Sequence, residues 1–225
     1  MTKPFIQSLS IDGFLSFAPG SPAVELLPLN VLIGPNGSGK SNFIEAFELL
    51  HATPTAFANA IRHGGGAEEW LWKGDPECKI AALDAQVYHS GLGRNLRYAL
   101  AFSSVAHRVE VVDERLEECA STKPKAKDVF FYYRLQGGKP AINVAVVGSN
   151  KRQQLSLKHD SLVLSESVLS QRKDPEAYPE LTWLGQQFGN VQTIREWSFG
   201  RYAPLRQPQP TDLPSDALLP DARNL

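Results

Sequence analysis

The stretch Leu-Asn-Val-Leu-Ile-Gly-Pro-Asn-Gly-Ser-Gly-Lys-Ser at residues 29–41 constrains the fold more tightly than any other part of the chain. Gly34, Gly39, Lys40 and Ser41 meet the spacing G-x-x-x-x-G-K-[ST], which needs a strand before it and a helix after it. Leu29 to Ile33 is a short apolar run of the kind a buried strand uses. Beyond the loop, Phe43, Ile44, Phe47 and Leu50 recur at helical spacing, and Pro54 closes the segment. The expected arrangement is therefore strand, glycine-rich turn and helix, within an α/β fold.

The residue types state their own chemistry. Glycines at 34, 37 and 39 let the backbone wrap closely, so successive N–H groups point at an anion's oxygens. A helix N-terminus adds partial positive charge there. Lys40 can reach the β- and γ-phosphates of a nucleotide, and the Ser41 hydroxyl is placed to ligate Mg²⁺. The candidate binding residues are Gly34, Pro35, Asn36, Gly37, Ser38, Gly39, Lys40, Ser41 and Asn42.

Elsewhere the pattern changes. Phe5, Leu9, Ile11, Phe14 and Phe17 mark two strands, with turns at Asp12-Gly13 and Pro19-Gly20. Asn59 to Gly66 reads as a loop in which an arginine leads into three glycines. Strands are expected over Lys79–Tyr88, Leu96–Val105, Arg108–Leu116, Val129–Leu135 and Ile142–Val147. Their short polar connectors suit antiparallel hairpins. A helix over Leu181–Phe188 and a strand over Val191–Phe199 follow, and the tail from Ala203 to Pro220 is proline-rich and extended.

Composition narrows the function classes. A net charge of -1 over 225 residues provides no global field for nucleic acid, so any such contact needs a local patch. Cys78 and Cys119 lie far apart and in no metal-ligand spacing, which suits free thiols in a reducing cytoplasm. The first residues lack the apolar core of a signal peptide, and no run approaches the ~20 apolar residues of a membrane span. The expected setting is soluble and cytoplasmic, away from membranes.

Two stretches carry a resemblance. Ile11-Asp12-Gly13-Phe14-Leu15-Ser16-Phe17 and the Gly-Pro-Asn-Gly-Ser-Gly-Lys-Ser-Asn form of the loop resemble the start of ABC-type ATPase heads. The kin are those of RecF, the SMC proteins and related bacterial AAA-type predicted ATPases. Ser167 to Pro175 and Tyr178 to Leu181 resemble that family's Q-loop segment, and Leu218 to Leu225 resembles its connection into a second lobe. The resemblance spans essentially the whole chain but only the first lobe of a head: residues 1–200 as the lobe, 201–225 as the connection. It implies ATP and Mg²⁺ as ligands, with Lys40 and Gln171 in catalysis and Ser41 and Gln171 near the metal. It also implies a dimer on ATP binding, with DNA among the partners, and a role in DNA repair, chromosome maintenance or anti-phage defence. Arg62 stands where SMC-type heads place an arginine near the nucleotide. Read without the resemblance, Gln171 is an ordinary exposed polar residue and Arg62 a solvated helix-end arginine. Phe14 and Phe17 either approach the adenine or, as such residues more often do, pack in the core.

The resemblance also implies parts that this chain does not supply. Hydrolysis in the family uses a strand ending in Asp-Glu, an LSGG-type signature and a switch histidine. Val109-Glu110-Val111-Val112-Asp113-Glu114 imitates the acidic strand. Glu110 interrupts its apolar run, and the alternation suits a half-exposed antiparallel strand instead. Leu164-Ser165-Glu166-Ser167 lacks the glycines a signature needs. The expectation is a lobe that binds ATP and depends on a second lobe or complementary chain for turnover. The alternative is a non-catalytic nucleotide-binding module that docks a partner. A small-molecule kinase is a third class, but Arg94 and Arg97 fall in a hairpin while Arg195, Arg201 and Arg206 are scattered, unlike a clustered lid.

Overall fold

The computed structural model describes residues 3–119, 129–146, 151–195, 200–203, 206–208, 210 and 218. Among these, eight strands form one sheet in the order β2-β1-β3-β4-β5-β6-β7-β8, every neighbouring pair antiparallel. They are β1 Ile6–Asp12, β2 Val24–Glu25, β3 Ile80–His89, β4 Arg94–Val105, β5 Arg108–Glu118, β6 Phe131–Gln136, β7 Lys139–Ala145 and β8 Arg152–Ser156. The α-helices are α1 Lys40–Ala52, α2 Phe57–His63, α3 Ala67–Trp70, α4 Val168–Gln171 and α5 Pro179–Gly189. The chain is thus mixed α/β, with an antiparallel sheet as its larger part.

Period-2 alternation sorts the two faces of the sheet. Ala81, Leu83, Ala85 and Val87 of β3 are buried, as are Leu96, Tyr98, Leu100 and Phe102 of β4. Helices cover this face through aromatic contacts: Phe57 of α2 meets Phe102 at 5.5 Å between ring centroids, and Phe188 of α5 meets Tyr98 at 5.3 Å. Such pairs add about 0.5–1.5 kcal/mol each beyond the area they bury. The opposite face is held by charge. Arg97 bonds Asp84 and Glu117 at 2.8 Å, Arg134 reaches Glu117, and Arg115 pairs with Asp113 at 2.6 Å.

One irregularity decides which acid of the Asp113-Glu114 pair goes inside. Phe102 pairs with Val111 and Ala101 with Asp113, so Val112 is an extra residue in β5. A bulge of this kind reverses the alternation beyond it. Val109 and Val111 point inward before it, Glu114 and Leu116 after it.

The described strands follow the sequence reading closely for β3 to β7, and α5 matches the expected helix. Several expectations differ. Asn59 to His63 belongs to α2 and is not loop. Phe14 and Phe17 form a tight bridge with each other instead of a second strand. Residues 191–195 form no strand, and the remainder of that expected strand lies outside the described residues. The 201–225 connection also falls largely outside them.

The largest departure is Leu29–Ile33, where no strand forms. Leu29, Val31 and Ile33 are exposed, Ile33 at 89%. The segment leaves a small turn in which Asn30 bonds both the N–H and the C=O of Leu27. Among the described residues no neighbouring strand lies beside it, and an apolar run without a partner cannot become a sheet element. Burial here predicts a sharp contrast in unfolding by urea. Leu83→Ala, at a fully buried position, should cost about 2–5 kcal/mol, and Ile33→Ala should stay within about 0.5 kcal/mol. A cost above about 2 kcal/mol for Ile33→Ala would show that this segment is packed after all.

Candidate functional site

The loop at 34–41 joins the unpaired segment to α1. Gly37 and Gly39 sit at φ of 82° and 88°, left-handed conformations that a side chain makes costly. A Cβ at position 39 would also stand 2.9 Å from Ser16 Oγ. Helix α1 starts immediately after Gly39, and Phe43 N–H closes its first turn onto the Gly39 carbonyl at 2.8 Å. No acidic residue lies in that first turn. The N–H groups there are unspent, and the helix end carries uncompensated positive character.

Lys40 reaches back over the loop. Its Nζ donates to the carbonyls of Gly34 and Pro35, each at 2.7 Å, and to Ser38 Oγ at 3.3 Å. All three ammonium protons therefore have acceptors, so an arriving phosphate exchanges with these contacts instead of meeting a bare charge. Ser41 is exposed, and its hydroxyl bonds no other described residue. A cleft of about 440 Å³ opens over the loop. One wall is Gly34, Pro35, Ser38, Gly39 and Lys40, and the other is apolar, formed by Phe17, Val24 and Val31 to Ile33 with Phe43. An anion fits the first wall, and a flat aromatic group fits the second.

These features suit a nucleoside triphosphate with Mg²⁺. A helix N-terminus with free amides, two left-handed glycines and a lysine provide for the phosphates. Mg²⁺ is commonly held by a hydroxyl together with the substrate's own phosphates, and Ser41 offers that hydroxyl. The described residues include no group of three or more His, Cys, Asp or Glu able to hold a metal alone.

The other expected site residues are elsewhere. Gln171 spends its amide on the preceding loop: Oε1 accepts from Val163 N–H at 2.8 Å, and Nε2 donates to the carbonyls of Val163 and Glu166, both at 3.0 Å. It does not line the cleft. Arg62 donates to Asn59 Oδ1 at 2.6 Å and lines a separate cavity of about 400 Å³ beside Arg108, His107 and Ser165. That second cavity escaped the sequence reading. It depends on the β4–β5 turn, where Ala106 and His107 both adopt positive φ, a conformation that histidine favours only modestly and alanine does not signal. Of the two phenylalanines, Phe14 is fully buried against Trp70, whereas Phe17 lines the cleft and touches Phe43.

The imitation acidic strand is antiparallel, as its alternation implied, and neither acid faces the cleft. Asp113 is paired with Arg115. Glu114 is 1% exposed, and its Oε1 accepts from Tyr98 OH at 2.7 Å and Ser167 Oγ at 2.5 Å. Its Oε2 accepts from Val168 N–H at 2.8 Å. Burial pushes this carboxyl up to about 7 against the lowering effect of those three donors. The sequence reading took Glu114 for a residue of a half-exposed strand. The bulge at Val112, invisible in the alternation, places it in the core.

Comparison with known proteins agrees on the loop. A family model described as "AAA domain, putative AbiEii toxin, Type IV TA system" matches residues 29–76. Among solved structures, one from work on ATP-driven dimerization and DNA-stimulated activation of SMC ATPases is 20% identical, with a TM-score of 0.41. That match covers 53% of this chain and 73% of the other. No curated protein matches in sequence. The matched residues run from the unpaired apolar segment past α3 and contain the whole glycine-rich loop, which fits a P-loop NTPase type of fold.

Proposed function

We propose that this chain is the ATP-binding lobe of a RecF/SMC-like ABC ATPase, and that hydrolysis requires a second lobe bearing signature and acidic-strand motifs. The observation that carries the reading is the pairing of a formed phosphate loop with an uncovered apolar strand segment on its N-terminal side. The loop has its glycines, its lysine and its helix dipole. The segment that should anchor it in a sheet has no neighbour among the described residues. A strand supplied by a second lobe or complementary chain would cover Leu29, Val31 and Ile33 and fix the loop from behind. Gln171 and Arg62 belong to the same proposal: they would approach the nucleotide once the lobes engage in an ATP-dependent dimer. DNA is the substrate class that goes with such engagement, and repair, chromosome maintenance or defence is the setting. The toxin description of the matched family model supports keeping defence among them.

The second reading, a non-catalytic nucleotide-binding module that docks a partner, has its own supporting observation. No carboxylate lines the cleft among the described residues, so no general base faces the γ-phosphate position. The two readings part on whether a partner restores turnover.

Calorimetry tests the shared step. Lys40→Ala removes the cleft's only side-chain cation among the described residues. With charge-assisted bonds of about 1.5–3 kcal/mol, affinity for ATP with Mg²⁺ should fall at least about tenfold. Equal affinity for the two proteins would remove the basis of the assignment.

Steady-state phosphate release tests the division of labour. A loose phosphoryl-transfer transition state needs positioned water and charge neutralisation on all sides, and missing preorganised donors cost several kcal/mol. The chain alone should turn over far more slowly than about one per second, a typical lower value for enzymes of ordinary rate. Lys40-dependent turnover at or above that rate, with no partner present, would place a catalytic carboxylate on this chain.

A further inference from the structure

Glu114 is a buried acid to which the nucleotide reading gives no work. Its three donors come from distant parts of the chain: Tyr98 from β4, and Ser167 Oγ and Val168 N–H from the start of α4. Ser167 in turn caps α4 by accepting from Leu169 N–H at 3.1 Å. The adjacent Glu166 accepts from Phe57 N–H at 3.0 Å, at the start of α2. One carboxyl on the sheet therefore fixes a turn that leads forward to Gln171 and sideways to the helix bearing Arg62.

No cation is among its hydrogen-bonding partners. The groups facing it are Tyr98 on β4, Ser167 at the start of α4 and Tyr133 on β6, with Thr53 after α1 bonding Tyr98. The nearby charges are Asp113, held by Arg115 on the other face, and Arg172, whose field reaches Tyr133. A buried anion without a counter-ion is costly, whereas the neutral acid keeps most of this geometry. Protonated at Oε1, it donates to Ser167 Oγ, which can accept, while Oε2 still receives Val168 N–H.

We propose that Glu114 is a positioning residue whose carboxyl latches the 166–171 turn to the sheet, tightly when protonated and more loosely once the proton has left for solvent. The latch does not depend on the nucleotide reading; only its consequence for Gln171 and Arg62 rests on that reading. The sign follows from linkage. Detaching the turn exposes the carboxyl to water and returns it to an ordinary carboxylate value, so the latched form binds the proton more tightly. With the latched carboxyl near 7, the latched-to-open ratio should rise about tenfold between pH 8 and pH 6.

Hydrogen exchange of the Val168 and Leu169 amides, corrected for the intrinsic rate at each pH, reads this ratio. In the full chain their protection should increase about tenfold from pH 8 to pH 6. It should also stay below that of Leu83 in β3, which reports global unfolding. Glu114→Gln, a mimic of the neutral acid, should keep the protection and lose its pH dependence. Glu114→Ala should lose the protection at both values. Where the alanine variant fails to fold, the glutamine variant and the ¹³C titration of the wild-type Glu114 carboxyl decide. A carboxyl midpoint near an ordinary glutamate would overturn the latch. An unchanged pH dependence in Glu114→Gln, or Val168 protection equal to that of Leu83, would do the same. None of these outcomes bears on whether Lys40 binds a nucleotide.

Discussion

Backbone amides and carbonyls in an extended segment must find partners, and apolar side chains must find cover. Between Leu29 and Ile33 the backbone is left to water and no described strand covers the apolar side chains, and the rest of the functional reading follows from that. The phosphate loop is built on the end of this segment, so its position depends on whatever holds the segment. On the other side the loop is firmly held: α1 buries Phe43, Ala46, Leu49 and Leu50 against the core. His51 on α1 reaches the Phe188 carbonyl at the end of α5. The loop is anchored by helix packing behind the lysine, whereas the chain just before the first glycine is exposed.

The antiparallel part of the molecule has no such deficit. Its strands pair in sequence from β3 to β8 and cover one face with helices, while the other face carries ion pairs. The Arg97–Asp84 and Arg115–Asp113 pairs are partly exposed on both sides, where each contributes little to stability. Their effect is to keep this part of the outer face polar. Two long-range polar ties into the core run through Glu114 and Glu166, and both end on the 166–168 turn. The turn is thus coupled to β4, β5 and α2 by hydrogen bonds, whereas the phosphate loop is coupled to the core chiefly by the packing of α1.

How much of this was legible varies with the range of the interaction that decides it. Local rules sufficed for α1, α5 and the strands β3 to β7, because alternation and helical spacing are set within a few residues. The phosphate loop was legible because its chemistry demands its residue types. Leu29–Ile33 was misread as a formed strand for the opposite reason: its composition specifies a strand, but a strand also needs neighbours, and none is described here. β8, with the sequence Arg-Gln-Gln-Leu-Ser, carries almost no apolar signal and exists through pairing with β7. Glu114 was misplaced because one inserted residue, Val112, reverses the face of everything after it. Gln171 is the converse case. Its residue type fits a ligand, yet every polar atom of its side chain is engaged by the 163–167 backbone.

Electrostatics near α1 completes the account of the anion site. A helix N-terminus attracts phosphate only if nearby acids do not offset it, and each such carboxylate changes the balance by about 0.3–1 kcal/mol. Helix α1 carries Glu45 and Glu48 beyond its first turn. Arg195, from the segment after α5, spans both, at 2.5 Å to Glu45 and 2.8 Å to Glu48. With side chains about a third exposed, the bridge contributes little to stability. Its electrostatic effect is more useful: one guanidinium compensates two carboxylates on the helix that presents Lys40. The positive end of α1 therefore faces the cleft without an acidic rival in its first turn, and with the two acids farther along partly neutralised. Removing Arg195 would leave the loop's geometry intact and still weaken its hold on a polyanion.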